Sequence, residues 1–595
     1  MDNWEIAKIL KEIGEYLEME GEAFKPRAYQ AAGEAIEEMD DSLSEIYKRG
    51  GLKALEEIPS VGVSIAEKIE ELLKTGHLKY YKSLKKKTPV DLSQLTTVEG
   101  VGPKIIKKLY EKLRIKNLET LEKAARAGKI RKLEGFGEKS EENILKSIEF
   151  LKQSGKRFVL GFILPQVEVI VERLKRLKGV EKISVAGSIR RMKETIGDLD
   201  ILIVSEKPGS VMDFFVSMPE VRQVLAHGQT KSAVRLKNGL DADLRVVEKK
   251  SFGAALCYFT GSKEHNIALR EIAIKNGWKL NEYGLFKIKN DPTGSRQKRQ
   301  QKSKIKNSED DWTQIAGETE EEIYKKLFLD YIEPEMRENW GEIELAKNHK
   351  LPKLIGYHDL KGDLQIQTDW TDGANSIEEY VQAAQKMGLE YIVITDHTKS
   401  LAMTGGSDEK KLLRQMAFID KLNKKLSGKL KILKGAEVNI LKDGSLDIDD
   451  RVLAKLDVVA AAAHSHFNLP RSEMTRRISR AMANPFVDII FHPTGRIINE
   501  RPPYEVDVEE LIKTAKKTKT YLEIDAYPNR LDLKDEYVKK AIEAGLKLAI
   551  DSDAHSINHL QYLKFGVAQA RRGWATKNDI INTRPWPDLL KLLKH

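Results

Sequence analysis

One cysteine, Cys257, among 595 residues leaves nothing to pair within the chain, and a lone thiol suits a reducing compartment. Long apolar runs are missing too. None reaches the roughly 20 residues that a membrane-spanning helix needs, so no membrane partner is expected. The opening Met-Asp-Asn-Trp-Glu lacks the basic-then-apolar form of a secretory signal, which predicts a cytoplasmic protein. Neither sign of charge dominates: 101 Lys and Arg face 91 Asp and Glu, a net +10. That excess mildly favours a polyanionic partner. Charged residues, rich in Lys and Glu, make up 32%, a balance found in thermophile proteins. Hydrophobic content of 41% is enough for real cores, and the length predicts about three to five domains.

Chemistry concentrates at 187–204, Gly-Ser-Ile-Arg-Arg-Met-Lys-Glu-Thr-Ile-Gly-Asp-Leu-Asp-Ile-Leu-Ile-Val. Leu199 to Val204 has strand composition, so Asp198 and Asp200 share one face. Two carboxylates on one face call for a cation, and a divalent metal with oxygen ligands supplies it. Gly187 and Ser188 let backbone approach a phosphate, and either Arg190 or Arg191 can fork onto its oxygens. Asp243, in the strand-like run Asp241 to Val247, offers the third carboxylate of a two-metal site. The whole string resembles the nucleotidyl-transfer signature of family X DNA polymerases, the group that includes DNA polymerase beta. The resemblance implies that Asp198, Asp200 and Asp243 are catalytic and hold two magnesium ions. It also implies that Gly187, Ser188 and Arg191 bind the incoming triphosphate.

Ahead of this stretch, 1–86 reads as a helical domain, with Ile6, Ile9, Leu10, Ile13 and Leu17 at helical spacing. Ile58-Pro59-Ser60-Val61-Gly62 leads into a fresh helix, the form of a helix-hairpin-helix. It recurs at Gly100-Val101-Gly102 and Gly135-Phe136-Gly137, within an expected fingers domain at 87–154. Exposed amides at such turns bind DNA phosphates without reading bases. Lys68 is by composition an ordinary helix lysine. However, Ile65-Ala66-Glu67-Lys68-Ile69 resembles the segment that carries the deoxyribose-phosphate lyase lysine in the polymerase beta group. Phe24-Lys25-Pro26-Arg27-Ala28-Tyr29 is similar to that group's 5′-phosphate pocket, which implies DNA contacts at Lys25 and Tyr29. Ser64 departs from the pattern, since a further lysine stands there in that group.

A palm is expected at 155–250 and a thumb at 251–335. Tyr258-Phe259-Thr260-Gly261-Ser262 is an aromatic pair, a glycine kink and a helix start, with Asn266 and Arg270 on one helical face. By resemblance to family X thumbs, Tyr258 and Phe259 lie along the sugar, with Gly261 beside them in the nucleotide pocket. Asn266 then faces the minor groove of the incoming base, and Arg270 touches the template strand. The basic run Arg296 to Lys306 reads as a thumb loop, and 336–356 as a connector.

From 357 to 575 seven short apolar runs alternate with helix-like stretches, which predicts a β/α barrel. Their carboxyl ends carry Asp396-His397, Glu437, His464-Ser465-His466, His492, Asp525 and Asp551 to His555. Imidazole and carboxylate at nearly every strand end argue for zinc, manganese or iron. The region resembles the PHP (polymerase and histidinol phosphatase) domain, which binds up to three metals and hydrolyses phosphoesters. By that match Glu437 with His464 and His492 forms one site, and Asp372 with His397 and His555 another. Glu437 and Asp553 are left for a third, whose His-x-His is replaced by Gln365 and Gln367. An amide carbonyl is a weaker donor than imidazole. The expectation is therefore fewer than three zinc or manganese ions, with reduced or absent 3′–5′ exonuclease and abasic-site endonuclease action. A tail at 576–595 carries no motif.

The fold class expected is multidomain α/β. Helical helix-hairpin-helix domains precede a nucleotidyltransferase palm of mixed sheet and helices, a small thumb and a seven-stranded β/α barrel. The function expected is gap-filling DNA repair synthesis by a monomer acting on gapped or primer-template DNA and dNTPs. Two rivals stand beside it: a PHP-type phosphoesterase that uses its amino-terminal half for targeting, and a non-enzymatic DNA-binding scaffold.

Overall fold

The computed structural model describes residues 1–595 except 2, 38, 40, 41, 99, 155, 156, 289–311, 402, 403, 427, 429 and 595. The basic run Arg296 to Lys306 lies outside the described residues. The chain divides into two compact units, 1–155 with 497–502, and 156–496 with 503–595. Among the described residues no helix is long and apolar enough to cross a membrane.

The first unit is helical from Asn3–Glu20 to Glu138–Ser154. Ile6, Leu10, Ile13 and Leu17 are buried, as their spacing predicts. They share one core with Val98, Ile106 and Leu109, so the two expected helical domains pack as one body. Its three turns repeat a single geometry. The amide of Val61 bonds the carbonyl of Ile58 at 3.0 Å, that of Val101 bonds Val98 at 2.9 Å, and that of Phe136 bonds Leu133 at 3.0 Å. Left-handed backbone is needed in each, at Ser60, Gly100 and Gly135, with φ of 64°, 78° and 85°. Glycine adopts it without strain; Ser60 is the exception.

The second unit contains palm, thumb and barrel. The palm sheet runs in the order Val180–Val185, Asp198–Ser205, Asp241–Val246, Lys231–Leu236, Val221–His227. Its central pair, Asp198–Ser205 and Asp241–Val246, is parallel, and the other pairings are antiparallel. Leu199, Ile201 and Ile203 point into the main palm core. On the opposite face Leu202 and Val204 pack with Phe252, Ala255 and Leu256 of the helix Phe252–Thr260. That helix leaves the amino end of the Asp198 strand uncovered.

The thumb carries a three-stranded antiparallel sheet, Trp278–Asn281, Gly284–Ile288 and Trp312–Ala316. The stretch read as a connector packs into its core through Met336, Ala346, Leu351 and Leu354.

The barrel has seven parallel strands: Gly362–Ile366, Tyr391–Ile394, Lys431–Asn439, Val458–Ala462, Ile489–Ile490, Tyr521–Asp525 and Leu548–Asp551. It closes nearly completely, because Ile366 forms a parallel bridge with Ala554. Leu364, Val393, Leu433, Ala460 and Phe491 form one apolar cluster with Ile581 and Leu589 of the last segment. The tail is thus part of the barrel's packing. Gly161, on the palm helix Leu160–Lys175, makes room for the barrel, since a Cβ there would come within 2.5 Å of the Pro528 Cβ.

Candidate active sites in palm and barrel

Parallel register sets Asp198 beside Asp241 and Asp200 beside Asp243. Alternation along the strand therefore puts Asp198, Asp200 and Asp243 on the face that the Phe252–Thr260 helix leaves open. Burial pushes the Asp200 carboxyl up to about 6, and the charges of Asp198 and Asp243 add to the rise. Three like charges without a cation between them repel, and the trio is open. Among the described residues, the groups whose ligand atoms all lie within 4.8 Å of one another are in the barrel. Lys231 Nζ stands 3.3 Å from Asp243 Oδ2, and Arg245 Nη2 stands 4.0 Å from it. A divalent cation fits this donor set. The backbone makes room for the Asp200 carboxylate: Gly187 has φ of 63°, and a Cβ there would lie 2.9 Å from Asp200 Oδ2.

The structure separates Arg190 from Arg191. Arg190 forks onto Glu320, Nη1 at 2.9 Å and Nη2 at 2.5 Å, and also reaches Thr260 Oγ1 at 2.7 Å. Glu320 takes a second cation, Arg337, at 2.6 Å. Burial alone would raise its carboxyl, but Arg337 and Arg190 outweigh it and hold it at about 2. Arg190 is therefore committed to the frame. Arg191 donates through Nε to Glu338 at 3.1 Å and through Nη1 to the Thr260 carbonyl. Among the described residues its Nη2 has no hydrogen-bond partner, which leaves it available to an anion.

Gly261 lies against Arg191, since a Cβ there would be 3.1 Å from Nη1. Tyr258 and Phe259 meet edge to face with ring centroids 5.1 Å apart, and Arg245 sits 4.6 Å over the Phe259 ring. Asn266 donates to the Tyr258 carbonyl at 2.7 Å and Arg270 to the Asn266 carbonyl at 3.2 Å. Ser188 lies half-buried in the turn Gly187–Arg190. Arg191, Gly261, Tyr258, Phe259 and Asn266 are thus brought together around the end of the helix Phe252–Thr260.

In the helical unit, Lys68 Nζ bonds both the carbonyl and the hydroxyl of Ser64 at 2.9 Å. It faces the rings of Tyr29 at 5.9 Å and Tyr80 at 5.3 Å, within reach of a cation–π attraction. Lys25 is ion-paired with Glu22 at 3.2 Å and exposed. Gly62 and Gly102 precede the helices Val63–Thr75 and Pro103–Leu113 as their caps. The carbonyl of Gly137 accepts from Glu141 in the third turn. A Cβ on Gly62, Gly102 or Gly137 would meet nothing within 4 Å, so each turn presents bare backbone outward.

The barrel groups converge on Glu437, which is fully buried. Its Oε1 lies 2.9 Å from His464 Nε2 and 2.9 Å from His492 Nε2. His464 Nδ1 faces Asn439 Oδ1 at 2.7 Å, a contact that turns Nε2 towards Glu437. His397 Nδ1 lies 3.5 Å from Glu437 Oε2, and its Nε2 lies 3.7 Å from Asp372 Oδ2. His555 Nε2 is 4.0 Å from that same Asp372 oxygen. His397 Nδ1 is buried without a hydrogen bond, an orphan that a metal would satisfy. Burial would raise the Glu437 carboxyl, but His397 and His464 hold it well below the usual range. His492 and Asp553 adopt φ of 30° and 48°, strain of a kind found at functional sites. The groups Asp372–His397–His555 and His397–Glu437–His464 fit a metal.

The remaining position has amides in place of imidazoles. Gln365 Nε2 and Gln367 Nε2 both donate to Glu437 Oε2, at 3.0 and 2.7 Å, while both amide oxygens are buried and unpartnered. Asp553 Oδ2 instead faces Arg530 Nε at 3.3 Å, and Asp525 Oδ2 faces the same nitrogen at 3.5 Å. Arg530 carries no motif in the sequence. Its position after a Tyr-Pro-Asn turn beyond a strand end was the available signal.

Helix-hairpin-helix units, a palm with paired carboxylates, a thumb and a PHP barrel follow one another in this chain. It belongs to the family X DNA polymerases that carry a carboxy-terminal PHP domain. Residues 1–78 match the helix-hairpin-helix domain, 92–149 the SAM-like helix-hairpin-helix tandem, 255–338 the DNA polymerase beta thumb, and 363–527 the PHP domain. The chain is 37% identical over 597 residues, 100% of both chains, to the "DNA polymerase/3′-5′ exonuclease PolX" of Bacillus subtilis (strain 168). Its barrel is similar to a "probable phosphatase" of Thermoanaerobacter sp. (strain X514), 32% identical over 35% of this chain and 84% of that protein. A "probable phosphatase" of Caldicellulosiruptor bescii is 33% identical over 30% of this chain and 73% of its own length.

Proposed function

We propose that this protein is a DNA-directed DNA polymerase that fills short gaps during DNA repair. The observation that carries the reading is the pairing of Asp200 with Asp243 across parallel strands, with Asp198 on the same open face. The primer 3′-hydroxyl attacks the α-phosphate of a dNTP, and pyrophosphate leaves. Asp198, Asp200 and Asp243 would hold two magnesium ions. Bound there, magnesium neutralises charge on the reacting phosphates and makes the attacking hydroxyl more acidic. Ser188 and Arg191 hold the triphosphate, while Tyr258, Phe259 and Gly261 line the sugar. Asn266 and Arg270 meet the minor groove of the incoming base and the template. Catalysis is then mainly in-line positioning. The outward glycine turns, with Lys25 and Tyr29, hold DNA by its phosphates, so binding is sequence-tolerant and salt-sensitive. Gap filling with dNTP and magnesium tests the reading. Wild-type incorporation should disappear in Asp198→Ala and in Asp243→Ala, and incorporation untouched by either change rejects it.

The barrel would bind zinc or manganese through Asp372, His397, His555, Glu437, His464 and His492, in fewer than three sites. Its 3′–5′ exonuclease action is reduced or absent, because Gln365 and Gln367 present amide hydrogens where ligands are required. Robust manganese-dependent digestion that vanishes in His492→Ala would overturn this. Lys68, held beside Tyr29 and Tyr80, is the candidate nucleophile for 5′-deoxyribose-phosphate removal. Borohydride trapping on an incised abasic substrate checks it, and equal trapping by Lys68→Ala ends the idea.

A further inference from the structure

Arg191, the guanidinium left available for an anion, does not hold its position through the palm alone. Its Nε donates to Glu338 Oε1 at 3.1 Å. The same carboxylate oxygen accepts from Arg572 Nη1 at 3.1 Å, and Arg572 Nη1 also reaches the backbone carbonyl of Arg191 at 2.8 Å. Arg572 ends the barrel helix Leu563–Arg572 and is 1% exposed. It is anchored in turn by Asp535, which accepts from Nε at 2.9 Å and Nη2 at 2.6 Å. Lys193 approaches the other oxygen of Glu338 at 3.7 Å. One barrel side chain therefore grips both the main chain of Arg191 and the carboxylate that aims its guanidinium. A second palm–barrel tie uses other hydrogen-bond partners: Arg496 Nη2 bonds Glu194 Oε2 at 2.8 Å.

We propose that Arg572 of the PHP barrel is a positioning residue for nucleotide binding in the palm, acting on Arg191 through Glu338. The proposal rests on the reading of Arg191 as a triphosphate ligand. Without Arg572, Glu338 and the Arg191 backbone lose a shared donor, and Arg191 loses a fixed aim at the phosphates. A buried charge-assisted bond is stronger than a neutral one and geometrically demanding. The effect should fall on dNTP affinity, with the chemistry of a bound nucleotide little changed.

The test is steady-state single-nucleotide gap filling by the full chain, with dNTP varied, alongside thermal melting. Arg572→Gln and Glu338→Gln should each raise the KM for dNTP about tenfold, with kcat within about twofold and the affinity for gapped DNA unchanged. Arg572→Lys should recover part of the loss. Arg496→Gln removes the other tie, so it should lower the melting temperature and leave the KM for dNTP as it was. A folded Arg572→Gln protein with wild-type KM overturns the proposal. An equal KM rise in Arg496→Gln also overturns it, because the effect would then be general loosening of the barrel. Arg191→Ala separates the layers: unchanged KM there means that Arg191 is no triphosphate ligand, and the proposal falls with that reading.

Discussion

Gln367 donates its side-chain amide to Glu437 Oε2 at 2.7 Å, on the oxygen that Gln365 also reaches. Two neutral donors thus meet one oxygen of a buried carboxylate. Restoring imidazoles should reverse the arrangement. The double change Gln365→His with Gln367→His is expected to add about one metal ion per chain and to raise manganese-dependent 3′–5′ digestion about tenfold or more. Elemental analysis after dialysis, with a labelled single strand as substrate, reads both. Unchanged metal content would show that the glutamines are not the obstacle.

Asp200 trades stability for charge. Its carboxyl is raised to about 6 by burial and then by Asp198 and Asp243. A raised carboxyl favours folding below its unfolded value, and that contribution is lost as pH rises through 6. In EDTA at pH 8, Asp200→Asn should be more stable than wild type by about 1–2 kcal/mol. The difference should close towards pH 4, while incorporation is abolished. A melting temperature below wild type at pH 8 would contradict the account.

Gly187→Ala adds a carbon 2.9 Å from Asp200 Oδ2 at a φ of 63°. Loss of about 1–3 kcal/mol is expected from the backbone alone, with incorporation falling at least tenfold because the carboxylate must move. Denaturant melts and gap filling on the same preparation check the two effects. A fully active variant would mean that the close approach is not needed.

Glu15 in the helical unit is raised to about 7 by burial, with Glu12 and Glu18 adding to it, and its Oε2 is buried without a partner. The sign is the same as for Asp200. Its contribution is present below about 4.5 and is lost as pH rises through 7. Glu15→Gln should therefore flatten the fall in stability between pH 5 and 8, by about 2 kcal/mol. Calorimetry of the full chain across that range reads it, and parallel wild-type and variant curves would reject it.

Local pattern carried much of this molecule. Alternation put Asp198 and Asp200 on one face, helical spacing marked Ile6 to Leu17, and barrel strand ends announced His397, Glu437 and His492. Distance in sequence hid the rest. Residue chemistry alone leaves Arg190 and Arg191 equivalent and only the motif's resemblance favours Arg191, because the structural discriminator, Glu320, stands 130 positions away. Arg496 and Glu194 are 302 apart, and each alone reads as a solvated charge. The direction of an amide is also invisible: Gln365 and Gln367 read as weak ligands, and only packing turns their hydrogens towards Glu437. Ser60 stands in a left-handed turn position that the two later copies give to glycine. Leu589 closes barrel packing from a segment with no motif.

The grip of Arg572 on Arg191 gives the barrel a use separate from its own pocket. On the proposal above, the outer wall of the barrel serves the palm whether or not the pocket inside it cuts. The barrel would then share in how the palm grasps its substrate, through a side chain that never enters either pocket.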